Sequence, residues 1–142
     1  IKCDETQHDM ILAIEYLNDV GGMSSDELGT ISETEFAVVR WGRGRASFKR
    51  GMWYVPKWVH ERADKLWGFD VFDVIYRGHT LKSGFIYYVA HEMSHILSRA
   101  NGHNDSFYKV LTRILPERFQ KYELGYKTKT ASKWIKSARL NH

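Results

Sequence analysis

The sequence predicts an α+β chain, and three observations carry that prediction. An apolar helical stripe opens the chain, a β-branched and aromatic stretch broken by glycines follows it, and long apolar helical periods fill the second half. With 142 residues, 43% of them apolar and 14% aromatic, and only 2 prolines, the composition fits one domain over 1–142 better than two domains or a disordered polymer.

Met10, Ile11, Ile14 and Leu17 recur at helical spacing, which predicts an amphipathic helix from about Thr6 to Asn18, ended by Gly21-Gly22. Met23 to Glu33, rich in Ser, Gly and acids, reads as a loop. Phe36 to Trp41 has the content of a strand, and Gly42-Arg43-Gly44 reverses the chain. Ala46 to Lys49 then pairs back as a hairpin that continues through Met52 to Val55 after a bulge at Gly51. Pro56 suits the first turn of a helix running to about Trp67, and Phe69 to Tyr76 reads as a short strand. From Ser83 to about Arg99, Ile86, Val89, Met93, Ile96 and Leu97 step by three or four, so a buried helix is expected there, stopped at Asn101-Gly102. Asn104 or Asp105 caps a further helix with Phe107, Val110, Leu111, Ile114 and Leu115 on its apolar face, which Pro116 interrupts. Trp41, Trp53, Trp58 and Trp67 are expected to pack core and sheet faces.

Charge divides the chain unevenly. Residues 1–35, the acidic N-terminal helix and loop, carry −8; residues 36–108 carry +5; and residues 109–142 carry +7. The basic C-terminal segment 116–142 sets Tyr122, Tyr126 and Trp134 among lysines, a pattern that could track a phosphate backbone while rings stack on bases; Lys127, Lys129, Lys133 and Lys136 are the contacts to test. A solvated surface helix and tail is the plain alternative. The single cysteine, Cys3, excludes an intrachain disulfide framework and a four-cysteine zinc ribbon. No apolar run approaches the roughly 20 residues needed to cross a bilayer, and the opening Ile1 to Asp9 is acidic, unlike a secretory signal. The expectation is a cytoplasmic chain without a membrane partner, its start at Ile1 rather than Met marking a trimmed form.

The chemistry concentrates in His91-Glu92-Met93-Ser94-His95, set within an apolar periodic segment. Residues four apart project from one helical face about 6 Å apart, so His91 and His95 can grip one Zn²⁺ from adjacent turns. Glu92, beside that face, can reach a metal-bound water without being a ligand, taking its proton as it attacks a carbonyl and returning it to the leaving amine. A catalytic zinc takes a third protein ligand, and His103 follows a glycine turn that can bring it back to the metal. Glu117 is the main rival for that place, with Glu123 and Asp105 weaker. The competing plain readings are a helix surface whose histidines pair with acids, and a zinc that only staples the fold; Glu92 argues against the second, since a structural zinc needs no base. Tyr122 or Tyr126, and less so Tyr108, could donate to a developing oxyanion. His8, His60, His79 and His142 read as surface or capping groups, His79 alone being kept as a substrate-side candidate. An edge strand from 46 to 55 could align an extended peptide by strand addition.

His91-Glu92-Met93-Ser94-His95-Ile96-Leu97, then Gly102-His103 and Phe107-Tyr108, resembles the SprT-like zinc metallopeptidases, whose third histidine often follows a glycine and precedes an aromatic residue by four positions. Arg43 to Phe48 is similar to the small sheet ahead of that family's active-site helix, so the resemblance spans roughly 36–115. It implies a minimal zincin-like fold in which a small antiparallel sheet packs on the active-site helix between N- and C-terminal helices. It also implies one Zn²⁺ per chain on His91, His95 and His103, Glu92 as general base, and proteolysis often directed at DNA-bound proteins. The chain departs from several relatives in having no C-terminal zinc ribbon, and its short spacer between His95 and His103 is closer to the compact bacterial and phage members. A nucleic-acid-associated binding or structural protein with a non-catalytic zinc is the reading from a different class.

Overall fold

The computed structural model of the protein describes residues 2–39, 45–47, 51–56, 60–61 and 72–119. In chain order they form α1 (Lys2–Val20), α2 (Ser25–Glu33), β1 (Glu35–Val39), β2 (Arg45–Ser47), β3 (Met52–Pro56), β4 (Asp73–Tyr76), β5 (His79–Lys82), α3 (Ser83–Ser98), α4 (Asp105–Ile114) and a single 3₁₀ turn, Glu117–Phe119. The architecture is α+β, as expected.

Helix α1 buries Thr6, Met10, Ala13 and Leu17 completely, with Leu12 and Tyr16 nearly so. Ile11, assigned by periodicity to the inward stripe, instead faces solvent at 43% exposure, because the buried face centres on the line through Met10, Ala13 and Leu17. The helix ends where Gly21 N–H bonds the Leu17 carbonyl at 2.9 Å. A Cβ on Gly21 would lie 2.1 Å from the Ile114 carbonyl oxygen, so the glycine is what lets the end of α4 close on the end of α1.

The segment Met23 to Glu33 is not a loop. Ser24 accepts the Glu27 N–H while the Glu27 carboxylate accepts the Ser24 N–H, a reciprocal cap that starts α2. Arg113 of α4 donates to the Glu27 carboxylate and to the Gly22 carbonyl, tying α2, the glycine turn and α4 together.

The sheet differs from the expected hairpin. Strand β3 is central, in the order β1-β3-β2, antiparallel to β2 and parallel to β1, with Phe36 opposite Trp53 and Val38 opposite Val55. Trp53 and Val55 are fully buried, so the strand that carries the core contacts takes the middle and the shorter β2 is left at an edge. Gly51 is a turn at φ +59° rather than a bulge inside one long strand, and its carbonyl accepts the Glu35 N–H at 2.9 Å. Of the strand expected at 69–76, Asp73–Tyr76 form β4, which makes an antiparallel hairpin with β5 through a turn at Arg77-Gly78; 69–71 lie outside the described residues. Pro56, expected to open a helix running to about Trp67, instead ends β3, paired with Val39 of β1; His60 and Glu61 are helical, and 57–59 and 62–67 lie outside the described residues, as does Trp41.

Helix α3 runs through the middle of the molecule, packed against α4, α1, α2, β2 and β5. Every residue from Ser83 to Ser94 is buried. Its start is fixed to the hairpin by two bonds, Ser83 N–H to the Phe72 carbonyl and Phe72 N–H to Ser83 Oγ, both 3.0 Å. Among the described residues no helix is long and apolar enough to cross a membrane.

Candidate metal centre

Helix α3 presents His91 and His95 from successive turns. It stops at Arg99, a left-handed residue at φ 58°, ψ 26°, whose N–H returns to the Ile96 carbonyl. The reversal expected at Asn101-Gly102 therefore happens earlier: among the described residues the glycines at positive φ are Gly51 and Gly78, and Gly102 is not one of them. Asn104 then caps α4, its side-chain oxygen accepting the Phe107 N–H at 3.1 Å. His103 sits between these two signals, in the short connection that folds back over α3.

The result is a convergence of three imidazoles. One nitrogen from each of His91, His95 and His103 lies within 4.8 Å of the other two. His91 Nε2 and His103 Nε2 are 3.1 Å apart. Two nitrogens on one tetrahedral zinc, each at about 2.0–2.1 Å from it, stand about 3.3–3.4 Å apart, so the donor set fits a first-row divalent ion with little movement. His95 Nδ1 donates to the Ala100 carbonyl at 2.9 Å, which commits that nitrogen to its proton and leaves Nε2 as the electron pair facing the other two rings. Phe107, fully buried, lies under all three rings, with centroid distances of 4.9 Å to His91, 4.4 Å to His95 and 4.9 Å to His103.

Electrostatics favour the neutral imidazoles that a metal requires. Burial holds His91 well below the ordinary imidazole range, with the neighbouring His95 and His103 adding to the effect. His95 and His103 are lowered as well, each chiefly by burial. Glu92, at 8% exposure, is pushed up to about 7 by burial. One turn before it, the Tyr88 hydroxyl donates to the Tyr54 carbonyl of β3 at 3.4 Å; burial first and the Glu92 charge second keep that hydroxyl protonated.

The remaining candidates from the sequence separate cleanly. Glu117 and Asp105 are exposed and stand outside the three-histidine group. Tyr108 is buried with its ring 6.3 Å from His103 and edge-on to Phe107. His60 bridges Thr6 Oγ1 at 3.0 Å and the Asp9 carboxylate at 2.7 Å, and His79 meets His8 edge to face at 4.9 Å, so these three histidines belong to the packing and surface of α1. Tyr122, Tyr126, Glu123, His142 and Lys127, Lys129, Lys133 and Lys136 lie outside the described residues. Sequence reasoning missed Arg99, Ala100 and Tyr88. A backbone carbonyl has no residue-type signature, and Tyr88 reads as one more apolar-face aromatic.

Together these features define a three-histidine group that could hold a metal ion on a helix, with a buried carboxylate beside it. Compared with known proteins, the chain matches no family model, no curated protein and no solved structure. The chemistry of the centre is therefore read from its own residues.

Proposed function

We propose that the chain is a zinc-dependent metallopeptidase of zincin-like, SprT-like type, with His91, His95 and His103 holding one Zn²⁺ and Glu92 as the general base. The observation that carries this reading is the convergence of the three imidazoles around a helix whose adjoining carboxylate is buried yet unpaired with any cation near it among the described residues. A zinc that only stapled the fold would gain nothing from a carboxylate kept at that cost.

Zinc, when bound, supplies a Lewis acid that polarises a carbonyl and makes water nucleophilic near neutral pH. The chain supplies the rest. Glu92 would accept a proton from the attacking water and deliver it to the departing amine; burial raises its carboxyl in the metal-free chain, which makes it a stronger base than an exposed glutamate, and a zinc beside it would offset part of that rise. Phe107 and the buried face of α3 exclude bulk water behind the rings, while His103, exposed, leaves the other side open to substrate. Strand β2 lies at the sheet edge beside α3 and, among the described residues, is paired with β3 alone. That edge is where an extended peptide would add as a further strand. The +7 charge of residues 109–142 favours protein substrates held on nucleic acid.

The test is Glu92→Gln. Hydrolysis of an unfolded protein substrate by the zinc-loaded chain should drop by at least about a hundredfold while zinc content and circular dichroism stay unchanged. Full activity in that variant would refute the assigned mechanism.

A further inference from the structure

The candidate metal centre is finished by a piece of backbone that no residue-type pattern marks. Arg99 is exposed, yet it holds a left-handed conformation, φ 58°, ψ 26°, in which the Cβ of any L-residue crowds the following carbonyl oxygen. Among the described residues the other non-glycine at positive φ is Arg77, in the β4–β5 hairpin turn. Strain of this kind persists only where the surroundings demand it.

Two connections show what the turn accomplishes. It ends α3 by returning the Arg99 N–H to the Ile96 carbonyl at 3.3 Å. In the same step it aims the next carbonyl, that of Ala100, back at His95 Nδ1, 2.9 Å away. A helix continued by one more residue would direct the Ala100 carbonyl along the helix axis, and His95 would lose its partner. The Ala100 N–H is itself held by Ser98 Oγ at 3.3 Å, and three residues later the reversed chain delivers His103 to within 3.1 Å of His91.

We propose that the left-handed turn at Arg99-Ala100 is a positioning latch for the metal site: its backbone conformation fixes the His95 tautomer and returns His103, and thereby sets the affinity for Zn²⁺. This rests on the metallopeptidase reading for its consequence but on the backbone for its cause.

The experiment compares Arg99→Asn with Arg99→Val in the full chain. Both remove the guanidinium; asparagine tolerates the left-handed region, whereas a β-branched valine opposes it. Zinc affinity, measured by competition with a chromogenic chelator, should stay within about twofold of wild type in Arg99→Asn and fall about tenfold or more in Arg99→Val, the range for loss of an outer hydrogen bond to a ligating histidine. The metal-free protein offers a second readout. The ¹⁵N shifts of the His95 ring should report a proton on Nδ1 in wild type and Arg99→Asn, and a mixture of tautomers in Arg99→Val with the global fold retained by circular dichroism. Equal zinc affinity in the two variants, or a wild-type His95 proton residing on Nε2, overturns the latch while leaving the metallopeptidase reading intact. A wild-type chain that takes up no zinc overturns both.

Discussion

Glu92 is the residue on which chemistry and stability conflict. Its carboxyl titrates near 7 in the folded chain against an ordinary value of 4.5, so between those values the folded state binds the extra proton and stability falls as pH rises. Below about pH 4.5 the penalty is absent; above about 7 it is complete. In metal-free protein, Glu92→Gln should therefore unfold at higher urea concentration than wild type at pH 8, by about 3 kcal/mol at most, and the gap should close near pH 4.5. A gap that is independent of pH would mean the carboxylate is solvated. The histidines act at the acid end. Their lowered values mean that the unfolded chain takes up protons first as pH drops below about 6.5, so both proteins should carry the same histidine loss there, which wild type partly offsets as Glu92 takes up its proton. Bound zinc should be released over the same range, because protons compete for the same nitrogens.

At the scale of elements, the close approach of α1 and α4 makes a sharp contrast between two glycines. A Cβ at Gly21 would meet the Ile114 and Leu17 carbonyl oxygens at 2.1 and 2.4 Å, both backbone atoms that cannot swing aside. Gly21→Ala should cost about 3 kcal/mol or more in urea unfolding. Gly29, within α2, has open space around it: nothing lies within 4 Å of where a methyl group would stand, so Gly29→Ala should stabilise by about 0.5–1 kcal/mol. If both substitutions proved neutral, the packing of α4 on the Gly21-Gly22 turn would be wrong. The Arg113 bonds to Glu27 and Gly22 belong to the same junction and explain why a helix as short and polar as α2 persists.

For the whole molecule, zinc and folding should be coupled. A ligand that binds the native chain at a concentration a thousand times its Kd adds about 4 kcal/mol, so zinc should raise Tm by many degrees in wild type and by much less in His103→Ala. Calorimetry with and without a chelator decides it. The charge asymmetry makes a separate demand. If residues 109–142 engage nucleic acid, retention on single-stranded DNA should weaken steeply with salt, and replacing Lys127, Lys129, Lys133 and Lys136 by Ala should flatten that slope by about three to four. Unchanged retention would assign the +7 to solvation alone.

The α+β class, α1, the long buried helix, the Asn104 cap and the placing of His91, Glu92 and His95 on one helix were legible in the sequence, because each depends on spacing along one element or on a local cap. Composition concealed α2, although its Ser24 and Glu27 carried the capping signal three residues apart. Strand order was not legible: pairing β1 directly with β3, which leaves β2 on the far side of β3, is a choice among long-range partners, and it follows from which strand buries Trp53 and Val55. The same division runs through the site. Helical geometry by itself places His91, Glu92 and His95 on adjoining faces, since a fixed rise and twist leave no other outcome. The return of His103 and the proton on His95 Nδ1 depend on where the chain reverses, at Arg99-Ala100 rather than at Asn101-Gly102, and the burial that raises Glu92 depends on contacts between elements remote in sequence.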